Sequence, residues 1–280
     1  TMPADARLYG QPYIAPASFD DTMGITPVTG LQTRPAFNVG TVTVNGQLTL
    51  GATSFVRGLR LTPTSGTALV GSSVSGVDVR SVEIAAVGAS GIDLNNVAGI
   101  FDLNELSASG PGTGLRLLNS SATVVVRDGD ITSTTNGVII DGSGSSVQFF
   151  SAFTLGPIIS GRTLLVQNRG SGGSVTFSGP ISATGGTGIL LNNNNSASNV
   201  RLLGKITLST GTNAAFTGTS GGVVETAVGD LESSITTTTG TALNLTNTAI
   251  GADGVVRAAH RGPLTADIVR DVIEPALTAR

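Results

Sequence analysis

Two aspartates are the best candidates for chemistry in this sequence, because they occupy matching positions in neighbouring repeats. Asp78 is the middle residue of the segment VDV at 77–79, and Asp102 is the middle residue of FDL at 101–103. If both segments are strands in adjacent coils, the two carboxylates lie one strand spacing apart and repel each other or recruit a cation. Because no third acid, base or metal ligand stands at a matching position, we expect two solvated aspartates, no catalytic residue, no metal site and no cofactor.

The remaining ionisable residues give weaker indications of a site. Asp93 and Arg116 occupy equivalent positions one repeat apart, which predicts an exposed ion pair of little energetic value. The only histidine, His260, lies outside the repeats, and this position argues against a Ser-His-Asp site. Three further aspartates are expected near one another around a turn: Asp128, Asp130 and Asp141.

Aromatic side chains that could stack on sugar rings are nearly absent from the predicted outer surface. The phenylalanines of the repeats are expected to fill the interior; they are Phe149, Phe150, Phe153, Phe177 and Phe216. A groove that cleaves carbohydrate is therefore poorly supported.

A short phrase recurs along the chain every 23 to 29 residues, and this periodicity predicts a stacked supersecondary unit. Each phrase has a small residue or Gly, an apolar–any–apolar triplet and then a polar turn. The triplets begin at Leu69, Ile92, Leu115, Val138, Leu164, Ile189, Ala214 and Leu243. Two further short apolar segments follow most triplets, and three strands per repeat are typical of a coil of a parallel β-helix.

Alternation within the triplets predicts which side chains point inward. Successive side chains of a strand face opposite ways, so the apolar outer pair lies inside and the middle residue faces water. One interior column is expected to contain Leu94, Leu117, Ile140, Leu165 or Val166, Leu191 and Leu245. The turn after the first strand is polar, at Asn95-Asn96, Asn119-Ser120, Asp141-Gly142, Asn168, 192–195, Thr217 and Thr246-Asn247. Asn tolerates left-handed backbone, and we favour inward-facing Asn and Ser ladders over calcium ligation.

Composition agrees with stacked strands and excludes other classes. Gly is abundant at 39 residues, whereas charged residues make up 12% and aromatics 4% of the chain. The net charge of −3 and the lack of a basic stripe argue against nucleic-acid binding. No apolar run is long enough for a membrane helix, and there is no cysteine. The sequence begins Thr1-Met2 without a charged-then-apolar leader, so we expect a processed or trimmed product.

The two ends depart from the repeat pattern. Residues 1–40 are rich in Pro and are either a partly disordered leader or, as their aromatics favour, an extended arm. Residues 257–280 predict a short helix that caps the solenoid or docks onto another subunit. The residues expected at an interface between identical copies are Tyr9, Tyr13, Phe19, Ile268, Val269, Val272 and Ile273.

Segments 186–218 (GTGILLNNNNSASNVRLLGKITLSTGTNAAFTG) and 234–254 (SITTTTGTALNLTNTAIGADG) resemble the β-strand repeats of secreted bacterial surface proteins, including autotransporter-type and adhesin-like passenger regions. The resemblance covers about residues 60–256 and implies an all-β, right-handed parallel β-helix of about eight coils, spanning 41–256. It also implies a bacterial, extracellular or cell-surface location. The expected function is a non-enzymatic subunit of a surface fibre, sheath, layer or adhesin stalk that assembles with identical copies. A carbohydrate-active β-helix, such as a polysaccharide lyase or tail-spike fragment, is the alternative, and an adhesin passenger that binds host or cell surfaces is a third. A cell-surface glycan is a further candidate partner.

Overall fold

The structure is a computed structural model of the 280-residue chain and describes residues 1–10, 42–132, 134–142, 144–195, 197–226 and 233–251. The regular secondary structure of these residues is entirely β-strand. No helix that is long and apolar enough to cross a bilayer occurs among them. The predicted C-terminal helix at 257–280 and most of the predicted N-terminal arm lie outside these ranges, and the domain boundaries stay predictions.

The strands stack on three faces, which we name A, B and C in the order in which the chain visits them. Face A contains β3 (Leu48–Thr49), β8 (Thr113–Leu118), β10 (Asn136–Asp141), β12 (Arg162–Gln167) and β15 (Thr187–Asn192). Face B contains β1 (Arg7–Tyr9), β4 (Phe55–Arg57), β13 (Ser174–Phe177) and β16 (Asn199–Leu202). Face C contains β2 (Val42–Val44), β5 (Leu59–Leu61), β14 (Ile181–Thr184), β17 (Ile206–Gly211) and β19 (Ser234–Thr237).

Longer strands bend from one face onto the next. Two strands run through all three faces: β6 (Thr67–Ala86) and β7 (Ser90–Ala108). Two strands join faces B and C: β9 (Thr123–Ile131) and β11 (Ser146–Ile158). Two strands join faces A and B: β18 (Phe216–Thr226) and β20 (Leu243–Gly251).

All of these strands pair in parallel with the equivalent strand one coil away, and together they form a β-solenoid of about eight turns. The predicted repeat is therefore confirmed as a stack of coils. On face A the first residues of six predicted triplets pair with one another in register, and Leu48 in the preceding coil joins the same column. The column is Leu48, Leu69, Ile92, Leu115, Val138, Leu164 and Ile189.

One predicted triplet is displaced. Ile189 pairs with Phe216 rather than with Ala214, and Phe216 in turn pairs with Leu243. The shift is two residues, so the inward and outward faces are preserved. Phe216 takes the larger interior site, and Gly218, which has no side chain, follows it at the next inward position. The apolar–any–apolar pattern therefore matched 214–216 better than the true strand.

The interior is a dry apolar column on each face. The predicted column is confirmed at Leu94, Leu117, Ile140 and Leu191, which pair in register and are at most 1% exposed. Between Ile140 and Leu191 the inward residue is Val166, whereas Leu165 faces outward and is half-buried. Gly218 separates Leu191 from Leu245.

Residues 1–10 form part of the first coil. Strand β1 pairs in parallel with β4, and Tyr9 lies beside Arg57. Met2 is 8% exposed, and its N–H donates to the carbonyl of Thr49 at 2.8 Å. This short segment therefore covers part of the apolar end of the solenoid.

Candidate functional site

The predicted pair of aspartates does not form, and the structure corrects the register on which it rested. Asp78 pairs with Ile100 on face B, and Asp102 pairs with Arg80. Register shifts between Val74 and Val77 and after Arg80 displace β6 relative to β7. Such bulges insert unpaired residues that a fixed repeat length does not reveal.

Asp78 is held between two arginines instead. Both of its oxygens accept hydrogen bonds from Arg57, at 2.7 and 2.5 Å, and Oδ1 also accepts from Nε of Arg80 at 2.9 Å. Burial acts to raise the pKa of this carboxyl, but the hydrogen bonds and charges of Arg57 and Arg80 outweigh burial and lower the pKa below its usual value. A carboxylate held ionised by two cations is a poor proton donor, which is a structural rather than a catalytic arrangement.

Two further pairs of outward charges also join neighbouring coils. Asp102 accepts two hydrogen bonds from Arg127, both at 3.0 Å. The predicted pair of Asp93 with Arg116 is confirmed, with two contacts at 2.8 Å. These side chains are 30–50% exposed, so each pair contributes little to stability.

A further ion pair lies near the C-terminal end of face B. Arg201 donates to both oxygens of Glu225, at 2.7 and 3.0 Å. The hydrogen bond from Arg201 lowers the pKa of Glu225, and the carboxylate in turn raises the pKa of Arg201. Since this pair faces solvent, it supplies register between coils rather than a reactive group.

Asp128, Asp130 and Asp141, which were expected near one another, are held by separate local partners. Asp141 ends β10 on face A and accepts from Gln167 at 2.7 Å and from Asn168 at 2.8 Å. Asp128 and Asp130 lie on β9, where they accept from Gly129 N–H and Thr132 Oγ1 respectively. No group of three or more Asp, Glu or His residues that could hold a metal ion occurs in the described ranges.

The closest arrangement to an acidic site was missed by the sequence reasoning. Glu83, Glu105 and Asp128 occupy one register column on three consecutive coils. The signal is the repeated Glu–apolar pair, Glu83-Ile84 and Glu105-Leu106, which the register shifts around Val82 move out of the fixed repeat. Arg60 lies 3.8 Å from Glu83, Ser107 donates to Glu105 at 2.9 Å and the Gly129 N–H donates to Asp128, so each of the three carboxylates has a partner of its own.

The phenylalanines divide into an interior stack and one outward ring. Phe149, Phe153 and Phe177 are buried, and Phe149 stacks on Phe177 with ring centroids 4.3 Å apart. Phe216 is also buried, as expected. Phe150 was expected inside but is 36% exposed, because it follows Phe149 and so points the opposite way. The guanidinium of Arg127 lies 5.6 Å from the centroid of the Phe150 ring.

The turn between faces A and B carries two ladders. In the outer ladder the residues adopt left-handed backbone, and all are exposed except Gly142, which is buried, and Ser220, which is half-buried: Ser73, Asn96, Asn119, Gly142, Asn168, Asn193, Ser220 and Asn247. Asn193 donates to Asn168 at 2.9 Å, and Asn168 donates to Asp141. The turn expected at Thr217 lies instead at Ser220, as a consequence of the displaced triplet. The predicted ladder is thus present, but this column faces outward.

At several of these turns the residue after the left-handed position points inward, and we call this column the inner corner. Ser120 and Asn194 occupy it, with exposures of 1% and 7%. The Asn194 amide donates to the carbonyls of Val166 and Gly221, at 3.0 and 3.2 Å, and its oxygen accepts from Arg169 N–H. A single side chain therefore satisfies backbone groups in two neighbouring coils.

The predicted interface residues are mostly outside the described ranges. Only Tyr9 is placed, in β1 on the first coil. Tyr13, Phe19, Ile268, Val269, Val272 and Ile273 belong to residues the structure does not describe. The last described coil exposes side chains that belong to the interior columns: Ile235, Leu243 and Leu245, at 38%, 51% and 36%. Val42 is likewise 42% exposed at the opposite end.

No protein-family model, curated protein or solved structure matches this chain at a significant level.

Proposed function

We propose that this chain is a non-enzymatic structural subunit of a bacterial surface fibre, sheath, layer or adhesin stalk, and that identical copies associate through their ends. Its β-solenoid would wind right-handed, because parallel strand connections are overwhelmingly of that hand. The resemblance of its repeats to secreted surface proteins supports an extracellular location. A cell-surface glycan is a possible additional partner of such a stalk.

The observation that carries the proposal is the end of the solenoid. Leu243 and Leu245 belong to interior columns, yet they are about half and a third exposed, whereas Phe216, one coil earlier, is buried. Strand β20 pairs only with β18 among the described strands, so within the described ranges its other edge has N–H and C=O groups without a partner strand. An edge of this kind, combined with exposed apolar side chains, is a template for another chain.

The geometry of such a contact favours open assemblies. The two ends of a solenoid are different surfaces, so contact between the C-terminal end of one copy and the N-terminal end of another is heterologous. Heterologous contacts form filaments when the rotation between copies does not close a ring. The predicted interface segments, around Tyr13 and around Ile268, adjoin these ends in sequence and would add contact area.

The absence of catalysis is part of the proposal. The two aspartates considered as catalytic candidates, Asp78 and Asp102, are bound by arginines on neighbouring strands. Their role is to join coils. We therefore expect Asp78→Asn together with Asp102→Asn to have only small effects on stability and none on a biological activity.

A charge placed at the exposed end tests the assembly. Leu243→Glu should abolish concentration-dependent association in sedimentation velocity, because removing an unpaired carboxylate from water at the contact has a large free-energy cost. Val87→Glu is the matched control, since Val87 is 71% exposed in a turn away from both ends. Circular dichroism of each variant checks that the solenoid remains folded.

Two results would contradict the proposal. One is a wild-type protein that stays monomeric at every concentration reached. The other is an equal loss of association in Val87→Glu and Leu243→Glu, which would mean that the end of the solenoid has no special role.

One observation favours the alternative, a carbohydrate-active β-solenoid. The column of Glu83, Glu105 and Asp128 places three carboxylates along consecutive coils, as general acid and base chemistry on a polymer would need. Glu105→Gln would abolish polysaccharide cleavage if this column were catalytic. If the wild-type protein cleaves no acidic or neutral polysaccharide, this alternative fails.

A further inference from the structure

Arg169 is a charged side chain inside the solenoid. It follows the left-handed residue Asn168 and therefore points into the inner corner, where it is 2% exposed. It is the one ionisable residue among the buried polar side chains of the described ranges. Burying a guanidinium is costly unless its donors and its charge are compensated.

The compensation found in the described residues is incomplete. Nη2 donates to the carbonyl of Ser145, whereas Nε and Nη1 are buried without an acceptor. No ion pair reaches Arg169 in the described part of the chain, and the carboxylate of Asp141 in the preceding coil is held by Gln167 and Asn168. Burial also lowers the pKa of Arg169, but an arginine starts so high that the group stays charged at neutral pH.

The guanidinium lies directly beneath a glycine-rich loop, residues 170–173. A side chain on Gly173 would come within 2.4 Å of Nη2, so the space left by this glycine holds the guanidinium. Ser198, which precedes the strand partner of Ser174 in the next coil, is 0% exposed and its hydroxyl has no partner. The interior at this corner therefore holds unpaired donors and a full positive charge.

The loop itself offers a row of donors. Residues 170–172 are exposed and Gly173 is half-buried. Across the described residues, no hydrogen bond accepts from the backbone N–H groups of Gly170, Ser171, Gly172 or Gly173. Gly172 has left-handed backbone with φ of 89°, and open space surrounds the Cβ positions of Gly170 and Gly172. Successive backbone N–H groups in a tight turn form concave anion-binding sites.

We propose that the loop 170–173 binds a tetrahedral oxyanion, phosphate or sulfate. The backbone N–H groups hold the anion from the solvent side, and the buried charge of Arg169 attracts it from beneath. A charge in the low-dielectric interior is screened less than a surface charge, so it acts on the loop over a short distance without direct contact. The anion is either free or a substituent of a polysaccharide, because the loop would meet the same oxygens in both.

Calorimetric titration of the full chain with sodium phosphate and with sodium sulfate, at constant ionic strength, measures this binding. Wild-type protein should show saturable binding. Arg169→Gln removes the buried charge and should weaken binding at least tenfold. Gly172→Ala disfavours the left-handed backbone of the loop and should weaken binding to a similar degree while Arg169 stays in place. This second variant keeps the test decisive if Arg169→Gln does not fold.

Arg162→Gln is the matched control. Arg162 begins β12, the strand that ends two residues before Arg169; it is half-buried and carries the same charge, but it is remote from the loop. Its loss should leave the affinity within twofold of wild type. Equal affinity in wild type and Arg169→Gln, equal affinity in Gly172→Ala, or no saturable binding by wild type would overturn the proposal.

Dextran sulfate and unmodified dextran distinguish the source of the anion. Binding of dextran sulfate that depends on Arg169, much tighter than free sulfate, identifies a polymer substituent as the ligand. Binding of free phosphate or sulfate with no gain from the polymer identifies a free ion. Binding of dextran sulfate that Arg169→Gln leaves unchanged would contradict the proposed site.

Discussion

The interior of the solenoid has two regions that obey different rules: the apolar columns beneath the strands and the inner corner between faces A and B. Beneath the strands, Leu94, Leu117 and Ile140 repeat one type of side chain coil after coil. At the inner corner the corresponding residues change from Ser120 to Arg169 and Asn194.

The difference follows from what each region must satisfy. Strand backbone groups pair with the coils above and below, so their side chains need only fill space. At the corner the chain turns, and some backbone groups lose their ladder partners. Polar side chains such as Asn194 provide those partners, and the same opening admits Arg169. The apolar columns beneath the strands therefore stabilise the fold. The inner corner accepts different side chains from coil to coil, so a binding site can arise there.

Truncation of a strand column is expected to have the largest effect. Leu117→Ala removes a side chain that is 1% exposed between Leu94 and Ile140, and should lower the free energy of unfolding by about 2–5 kcal/mol. Leu118→Ala is the control, because Leu118 faces outward and is half-buried. Denaturant titration measures both. If Leu117→Ala unfolds at the wild-type midpoint, the column is assigned wrongly.

A substitution at the inner corner should cost less and act by a different mechanism. Asn194→Ala leaves the carbonyls of Val166 and Gly221 without their donor, and should lower the free energy of unfolding by about 1–3 kcal/mol. Asn193→Gly, in the exposed outer ladder, keeps the left-handed backbone and removes one hydrogen bond that water can replace, so it should change the free energy of unfolding by about 0.5 kcal/mol or less. Equal effects in the same titration would show that inward and outward positions of the corner do not differ.

The ion pairs on the outward face should contribute little to the free energy of unfolding, and their contribution should depend on pH. The pKa of Asp78 is lowered in the folded protein, so its stabilisation is present above the unfolded pKa of about 3.8 and is lost as pH falls through the folded value. We expect about 0.5–1 kcal/mol, discounted because solvent reaches the pair. Asp78→Asn should remove this part of the pH dependence between pH 7 and pH 2.5. An unchanged profile would mean that Arg57 and Arg80 do not stabilise the ionised form.

The repeat could be predicted from the sequence because the apolar columns beneath the strands recur at regular spacing. The constant spacing of Ile92, Leu115 and Val138 and the alternation around Leu117 were sufficient to predict the coil and its interior. The predicted pair of Asp93 and Arg116 was confirmed for the same reason, since no bulge separates their strands.

The rest depended on features that the repeat does not encode. Bulges after Val74 and Arg80 moved Asp78 away from Asp102, and one-residue alignment differences concealed the column of Glu83 and Glu105. The burial of Arg169 was also inaccessible, because an arginine in a polar turn is normally exposed. The 2% exposure of Arg169 and the packing of its guanidinium against Gly173 show that this side chain points inward.

Negative-stain electron microscopy of the full chain at increasing concentration tests the central proposal most directly. The account predicts rods that join end to end into filaments, with length that increases with concentration, because exposed Leu243 and Leu245 then become covered. Single rods of one length at every concentration, in a preparation that cleaves polysaccharide, would contradict a structural role and favour the enzymatic alternative.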